Sequence, residues 1–264
     1  MIKLEKTEVF GFEHAVRGMR NPKNSWDKSD SFICSELLTN DSVLCCDCPY
    51  DKKCPFTDHE DHFIFGNNDL KLAKTLRDGG PVHAKYRRMI VVYVDITAPL
   101  YWWKEFDTYK IGTVANSCST MHKIHAKEFE LDDFSHDHLT EFVSGQKLYG
   151  WAIEDNDLIT LPNDSDYGYS SIGILKDIVI KALNFNRNKF LETKDKKYWW
   201  QMIQLLPTSY NQKRTVMLNY EVLAGIYPMR KDHKLDEWHT FCDWIKTLPY
   251  SELIIGDNDD EKSM

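Results

Sequence analysis

The chain has 264 residues, 42% of them hydrophobic and 28% charged, with a formal net charge of −8. This length and composition are typical of a folded globular protein, not of a disordered or fibrous chain, and the negative charge disfavours nonspecific binding to a nucleic-acid polymer. Charged residues interrupt every apolar stretch well before the roughly 20 residues that span a bilayer, so we do not expect a membrane protein.

The N-terminal sequence MIKLEKTEVFGFEH carries charge early and shows no secretory signal, so we expect a cytoplasmic protein. The seven cysteines are an odd number, and in that compartment thiols are expected rather than disulfides. After an extended start, a short helical stretch leads into a polar loop that contains Pro22 and Asn24.

Residues 44–62 form a Cys/His-rich loop, LCCDCPYDKKCPFTDHEDH. Its candidate metal ligands are Cys46, Cys48, Cys54 and His59, with His62 close by. These soft ligands are sufficient for a tetrahedral structural zinc, although their spacing is not that of a standard Cys-x-x-Cys pair. The alternative is a reduced cluster in which Cys45 or Cys46 is buried as a small hydrophobic residue.

The next segments predict a helix, a strand and a second helix in succession. DLKLAKTLRDGG predicts a helix that stops at its Gly-Gly pair, with an apolar face of Leu70, Ala73 and Leu76. YRRMIVVYVDITAP is rich in β-branched residues and predicts a strand that ends at Pro99 with both faces largely buried. LYWWKEFDTYKIG then predicts a helix along Leu100, Trp103 and Phe106, reaching towards Gly112.

The acidic stretch KEFELDDFSHDHL is expected to be a solvated loop or face, and three later segments predict helices. Their apolar stripes are Ile174, Ile178, Ala182 and Phe185 in residues 170–192; Trp199, Ile203 and Leu206 in residues 195–206; and Leu235, Trp238, Phe241 and Ile245 in LDEWHTFCDWIKTLP. No internal repeat or linker is visible. We therefore expect one domain over residues 1–255, with the Cys/His-rich loop as an insertion, and an acidic tail over residues 256–264.

Two blocks resemble a known family. GGPVHAKYRRMIVVYVDITAPLYWWKEFDTYKIGTVANSCSTMH resembles the central block of the flavin-dependent thymidylate synthases, and NYEVLAGIYPMRKDHKLDEW resembles their C-terminal helix. The resemblance implies an α/β fold of the α+β kind, with a mixed or antiparallel sheet and flanking helices. It also implies bound FAD, a pyrimidine nucleotide such as dUMP, one-carbon transfer to that nucleotide, and a homotetramer.

The same resemblance implies roles for individual residues. Nucleotide binding falls to Lys110, Ser117, Ser119 and Arg230, and cofactor binding to His83, Asn116, Asn219 and His233. Other interpretations stay open for some of them. His83 could be a core histidine bonded to a backbone carbonyl, and Lys110 and Arg230 could be ordinary solvated cations at helix ends. Cys118, in the matching loop, is expected to be buried and inert.

The chain also departs from the family pattern. Where the family has Arg-His-Arg, this sequence reads Thr108, Tyr109 and Lys110, and Met121 replaces the Arg of the family's Ser-x-Arg contact. Because Lys cannot reproduce the bidentate fork of Arg, a planar anion should be held less firmly there. The alternative is therefore a noncatalytic nucleotide-binding or structural protein on the same scaffold, with zinc as an added stabilising group.

Overall fold

The computed structural model describes residues 2–34, 62–140, 151–154, 157–160 and 170–256, and the statements below refer to these residues. The predicted Cys/His-rich insertion lies almost wholly in residues 35–61, and the acidic tail beyond Gly256 lies in residues 257–264, both outside the described part. Every helix in the described part is too short or too polar to cross a membrane.

The described part of the chain contains both strands and helices. The strands are β1 Lys3–Phe10, β2 Phe32–Cys34, β3 His62–Ile64, β4 Val91–Pro99, β5 Val114–Ser117, β6 Trp151–Glu154, β7 Asp157–Thr160 and β8 Asn211–Asn219. The α-helices are α1 Phe12–Arg20, α2 Asn67–Asp78, α3 Leu100–Phe106, α4 Ser171–Gly173, α5 Lys181–Thr193, α6 Lys196–Leu205, α7 Tyr220–Arg230, α8 Asp236–Lys246 and α9 Glu252–Ile255. A π-helix, Ile174–Ile180, joins α4 to α5.

The strands form three sheets. Four of them make one sheet in the order β1-β4-β8-β5, while β2 with β3 and β6 with β7 form two-stranded antiparallel pairs. In the first pair Phe32 lies opposite Ile64, and in the second Trp151 lies opposite Thr160. The predicted α/β fold with antiparallel pairing and flanking helices is confirmed.

Burial along β4 alternates from residue to residue. Its buried residues are Val92, Val94, Ile96 and Ala98. Between them, Tyr93 is 42% exposed and Asp95 and Thr97 are half-buried. One face of the strand is therefore buried and the other is not, so the expectation of two buried faces is wrong. A β-branched run alone does not distinguish these cases, because such residues also favour half-exposed strand positions.

The chain divides into two compact units. The first comprises residues 1–3, 95–108 and 116–215, and the second comprises residues 4–94, 109–115 and 216–264. A hydrophobic cluster in the first unit consists of Ile124, Phe129, Phe134, Leu175, Ile180, Leu183 and Met202. Phe129 and Phe134 belong to the acidic stretch, which is a loop as expected but contributes these two rings to the core.

The long helical segment of the first unit buries a different stripe from the predicted one. Leu175, Ile180 and Leu183 are buried, whereas Ile178 and Phe185 are exposed. Residues 174–180 form a π-helix, whose i→i+5 hydrogen bonding widens the turn, and Leu175 and Ile180, five residues apart, are both buried there. The predicted Trp199 and Ile203 of α6, and Leu206 directly after it, do pack against the cluster.

Aromatic rings fill the core of the second unit. Phe12 on α1 contacts the rings of Phe63, Phe65, Tyr220 and Tyr250, with centroid distances of 5.4 to 6.0 Å. The predicted ridge of α8 is confirmed, since Trp238, Phe241 and Ile245 are fully buried. Helix α2 ends at Gly79, as the sequence predicted.

A buried carboxylate ties the segment after α1 to the first turn of α2. Asp69 accepts hydrogen bonds from Arg20 Nε at 2.5 Å and from the hydroxyl groups of Ser29 and Ser31 at 2.7 Å each. The backbone amides of Asp30 and Ser31 donate to it as well. Burial alone would raise the pKa of Asp69, but the hydrogen bonds from Ser31, Ser29 and Arg20 lower it below its usual value.

Candidate functional site

Arg230, the last residue of α7, lies between two aromatic rings of the second unit. Its guanidinium carbon is 4.5 Å from the centre of the Trp238 ring and 5.5 Å from that of Tyr109. Its Nε donates a 2.8 Å hydrogen bond to the Tyr109 hydroxyl. These contacts fix the plane of the guanidinium group. The group is half-buried, so the interpretation of Arg230 as an ordinary solvated cation is wrong.

His233 follows α7 and contacts the same tryptophan. Its ring centre is 6.3 Å from that of Trp238, and its backbone amide donates to the carbonyl of Arg230 at 3.1 Å. Nδ1 of the ring accepts a 3.2 Å hydrogen bond from the amide of Leu235. A neutral ring that accepts at Nδ1 carries its proton on Nε2, so His233 is a hydrogen-bond donor at Nε2.

Sequence reasoning selected Arg230 and His233 but missed the two rings around them. The helix predicted from Leu100 towards Gly112 includes Tyr109, and Trp238 belongs to the predicted apolar ridge of a later helix. Helix α3 in fact ends at Phe106, which leaves Tyr109 in an irregular segment. The sequence does show one feature that could have identified Trp238: Arg230 ends one predicted helix, and Trp238 lies near the start of the next.

The segment from Tyr109 to Gly112 is anchored to both ends of α7. Tyr109 binds Arg230 at the C-terminal end, and Gly112 touches the N-terminal end. A Cβ added to Gly112, whose φ is +79°, would lie 2.9 Å from Cγ2 of Val222. Lys110 lies between the two anchors with an exposed side chain, as the solvated interpretation expected.

Asn219 caps the N-terminus of α7. Its side-chain oxygen accepts a 3.0 Å hydrogen bond from the amide of Val222, which is the usual stabilising role of Asn at this position. With 11 residues at 1.5 Å per residue, α7 is roughly 16 Å long. Asn219 and Arg230 therefore stand at opposite ends of one helix and do not form a single cluster.

An acidic residue lies beside Asn219. Glu221, in the first turn of α7, has a carboxylate oxygen 3.8 Å from Nη1 of Arg87, which is 8% exposed. A carboxylate at a helix N-terminus favours the helix, because it complements the positive end of the macrodipole. It also opposes a second anion at the same place, so this end of α7 fits a phosphate poorly.

His83 lies in the turn between α2 and β4 and is exposed. Its backbone amide donates to the carbonyl of Gly80 at 2.9 Å, and its ring packs over Gly79, where an added Cβ would be 3.2 Å away. The interpretation of His83 as a core histidine is therefore wrong. An exposed imidazole in this turn can meet a ligand.

The other predicted site residues, Asn116 for the cofactor and Ser117 and Ser119 for the nucleotide, lie in the first unit. Asn116 and Ser117 end β5, where every residue is exposed. The Ser119 hydroxyl accepts hydrogen bonds from the amides of Met121 and His122 and so closes a turn. Cys118, between the two serines, is exposed, so the expectation that it is buried is wrong.

The predicted zinc ligands Cys46, Cys48, Cys54 and His59 lie outside the described residues. Within the described ranges, no group of three or more His, Cys, Asp or Glu side chains is arranged to hold a metal ion. Nothing in the described part of the chain therefore supports zinc.

The arrangement of these elements is the fold of the flavin-dependent thymidylate synthases. The expected resemblance is confirmed at this level and extends over nearly the whole chain.

Two of the similar solved structures show the range of the likeness. Thymidylate Synthase X (ThyX) from Helicobacter pylori, crystallised with FAD and dUMP, matches with a TM-score of 0.56 and 14% identity, over 97% of this chain and 98% of the other. The UMP/dUMP methylase PolB from Streptomyces cacaoi, bound with 5-Br dUMP, matches with a TM-score of 0.53 and 13% identity, over 96% and 94%. No protein-family model and no curated protein sequence matches the chain.

Proposed function

We propose that this chain binds a pyrimidine nucleotide of the dUMP type together with FAD and transfers a one-carbon group to the pyrimidine, as a methyltransferase of nucleotide biosynthesis. The observation that supports this most is the cation of Arg230, positioned by Tyr109 and Trp238 on the fold of the flavin-dependent thymidylate synthases. An acidic protein must bind phosphate with a few placed cations instead of a general positive field. Arg230 is such a cation.

In this proposal Arg230 binds the nucleotide phosphate through the planar edge of its guanidinium group. The family resemblance also assigns Lys110, Ser117 and Ser119 to the nucleotide, as a cation and two hydroxyl groups, and it assigns His233 to the cofactor. When bound, the flavin supplies the hydride chemistry, so no side-chain nucleophile is required of the protein. The protein binds and orients the two ligands.

The residues assigned to FAD differ in how well they fit it. His83 and Asn116 are exposed and His233 is half-buried, with a donor at Nε2, so all three can hold a polar group of the cofactor. Asn219 uses its side-chain oxygen for the helix cap and has Glu221 two residues away. We therefore assign no phosphate of FAD to the N-terminal end of α7 and give Asn219 a neutral contact through its amide nitrogen.

The assembly and location belong to the same proposal. We propose a cytoplasmic homotetramer, as the family resemblance implies. Light scattering of the purified protein measures the oligomeric state, and a mass near four times 31.0 kDa is expected. A monomer at micromolar concentration would remove the tetramer from the proposal.

The function is tested on the purified full chain. We expect the yellow absorbance of bound flavin and a dUMP affinity that calorimetry can measure. Arg230→Ala should weaken dUMP binding at least about tenfold, because a charge-assisted phosphate contact is lost. Lys231→Ala, which removes the adjacent cation, is the matched control and should leave the affinity unchanged. Equal affinities in wild type and Arg230→Ala would exclude Arg230 from the site.

The second candidate is a noncatalytic nucleotide-binding or structural protein on the same scaffold. Two observations favour it: Thr108 and Lys110 stand where the family has arginines, and Glu221 places negative charge at one end of α7. Colourless protein that takes up no added FAD and shows no turnover would support this candidate. Stoichiometric zinc in the same preparation would extend it to a zinc-stabilised protein.

A further inference from the structure

Within the first unit, a chain of hydrogen bonds connects the end of α3 to the loop after β5. Nη1 of Arg214 donates to Asp107 at 2.7 Å, and Nε of Arg214 donates to the side-chain oxygen of Gln212 at 3.0 Å. The side-chain nitrogen of Gln212 donates to the backbone carbonyl of Cys118 at 2.8 Å. We call Asp107, Arg214, Gln212 and Cys118 the β8 relay, because its two central residues lie on that strand.

The surroundings of the β8 relay hold it in one geometry. The Arg214 guanidinium carbon lies 4.1 Å from the centre of the Trp103 ring, and Trp103 Nε1 donates to the carbonyl of Gln212 at 2.9 Å. Gln212 is 8% exposed, so its two side-chain hydrogen bonds form away from bulk water and are costly to lose. The amide of Cys118 donates to the carbonyl of Lys213 at 2.9 Å, so both backbone polar groups of Cys118 are bound to β8.

We propose that Gln212 and Arg214 are positioning residues for the loop after β5, residues 117–123, which carries the predicted nucleotide contacts Ser117 and Ser119. They fix Cys118, and thereby hold the exposed hydroxyl groups of Ser117 and Ser119 on either side of it in place before ligand binds. The same relay reaches Asp107, which directly precedes the Thr108–Lys110 stretch. This inference rests on the proposed function for its ligand, but the immobilisation of the loop is measurable without any ligand.

Two variants separate the links of the relay. Gln212→Glu is nearly isosteric and keeps the acceptor for Arg214 but removes the donor to Cys118. Arg214→Met keeps an unbranched apolar stem and removes both of the arginine's hydrogen bonds. Lys213→Met is the matched control, because it removes the neighbouring cation of the same strand, whose side chain binds Asp95 at 3.1 Å and lies outside the relay.

Hydrogen exchange of the full-length protein without ligand is the first measurement. In the peptide covering residues 117–123, Gln212→Glu and Arg214→Met should exchange about five- to tenfold faster than wild type, as loss of a buried hydrogen bond predicts. In Lys213→Met the same peptide should exchange at the wild-type rate. Unchanged exchange in both relay variants, or equally faster exchange in the control, overturns the proposal.

Calorimetry with dUMP is the second measurement. Gln212→Glu should weaken binding about three- to tenfold, and its effect should be smaller in a Ser119→Ala background, because the relay acts through that loop. Faster exchange with an unchanged dUMP affinity would overturn the positioning role. A wild type that binds no dUMP would refute the proposed function, while the exchange data still decide whether the relay holds the loop.

Discussion

The hydroxyl group of Tyr109 accepts a 2.8 Å hydrogen bond from Nε of Arg230, although 121 residues separate the two in sequence. The bond orients the guanidinium group, and the Tyr109 ring also lies within cation–π distance of it. Tyr109 stands where the family resemblance places the histidine of Arg-His-Arg. A tyrosine that orients Arg230 therefore stands where the family pattern has a histidine.

Tyr109→Phe should weaken nucleotide binding without unfolding the protein. The change keeps the ring beside Arg230 and removes only the acceptor, which costs about 1 kcal/mol, or about a fivefold rise in the Kd for dUMP. Calorimetry measures the affinity. Tyr93→Phe, on an exposed tyrosine of β4, is the control and should bind as wild type. An unchanged Kd for Tyr109→Phe would mean that the hydrogen bond does not orient the binding group.

Asp69→Ala should destabilise the protein by about 3 to 5 kcal/mol, because it leaves the buried Arg20 guanidinium and four other donors without their acceptor. Urea unfolding measures the loss. Asp78→Ala is the matched control, since it breaks an Arg–Asp contact of 2.7 Å in which the carboxylate is 63% exposed. We expect Asp78→Ala to lower the free energy of unfolding by less than about 1 kcal/mol. Similar losses in both variants would show that burial adds nothing to the Asp69 contact.

The carboxylate of Asp69 should also make the free energy of unfolding depend on pH. The pKa of Asp69 is lower in the folded protein than its usual value of 3.8, so the folded state binds the proton more weakly than the unfolded state does. This contribution is fully present above pH 3.8 and is lost as the pH falls through the folded pKa. Urea unfolding at pH 7 and at pH 3 should therefore show a smaller acid loss in Asp69→Asn than in wild type. An equal acid loss would assign the pH dependence to other carboxylates.

The sequence correctly predicted those structural features that depend on residues close together in the chain. Gly79 ends α2, Pro99 ends β4, and the ridge of Trp238 and Phe241 is buried, because each depends on residues within a few positions along the chain. The stripe of residues 170–192 was wrong because the hydrophobic pattern was read at 3.6 residues per turn. Residues 174–180 form a π-helix, whose turn is wider than that of an α-helix, so the buried stripe does not follow the α-helical period there.

The site was predictable only in part. The resemblance identified Arg230 and His233, but the roles of Tyr109 and Trp238 depend on contacts between segments far apart in sequence. Cys118 was expected to be buried because cysteine usually is, yet its backbone is bound to β8 while its side chain faces outwards. Propensity cannot predict this orientation, because hydrogen bonds to Gln212 and Lys213 determine it.

Glu221→Gln should strengthen binding of a phosphate-bearing cofactor and weaken the fold slightly. We assign no FAD phosphate to this end of α7, but we propose that Asn219 contacts the cofactor there. Removing the carboxylate therefore lowers its longer-range repulsion of the FAD phosphates, and FAD should bind about two- to fivefold more tightly. It also removes a charge that pairs with Arg87 at 3.8 Å and complements the helix dipole, a loss of about 1 kcal/mol. Flavin fluorescence and urea unfolding measure the two effects. Weaker FAD binding would instead indicate that the carboxylate contacts a donor group of the cofactor.

Gly112→Ala tests whether the segment from Tyr109 to Gly112 must lie against α7. Any side chain at a φ of +79° is strained by about 1 kcal/mol, and here a Cβ would also lie 2.9 Å from Cγ2 of Val222 and 3.2 Å from the side-chain nitrogen Nδ2 of Asn219. Gly80→Ala is the matched control, since Gly80 has a φ of +90° with open space where the Cβ would be. We expect Gly112→Ala to be less stable than Gly80→Ala by about 1 to 2 kcal/mol in urea unfolding, and to bind dUMP more weakly because its displaced segment carries Tyr109 away from Arg230. If the two variants unfold alike and both bind dUMP as wild type does, the contact with α7 contributes neither to stability nor to the site.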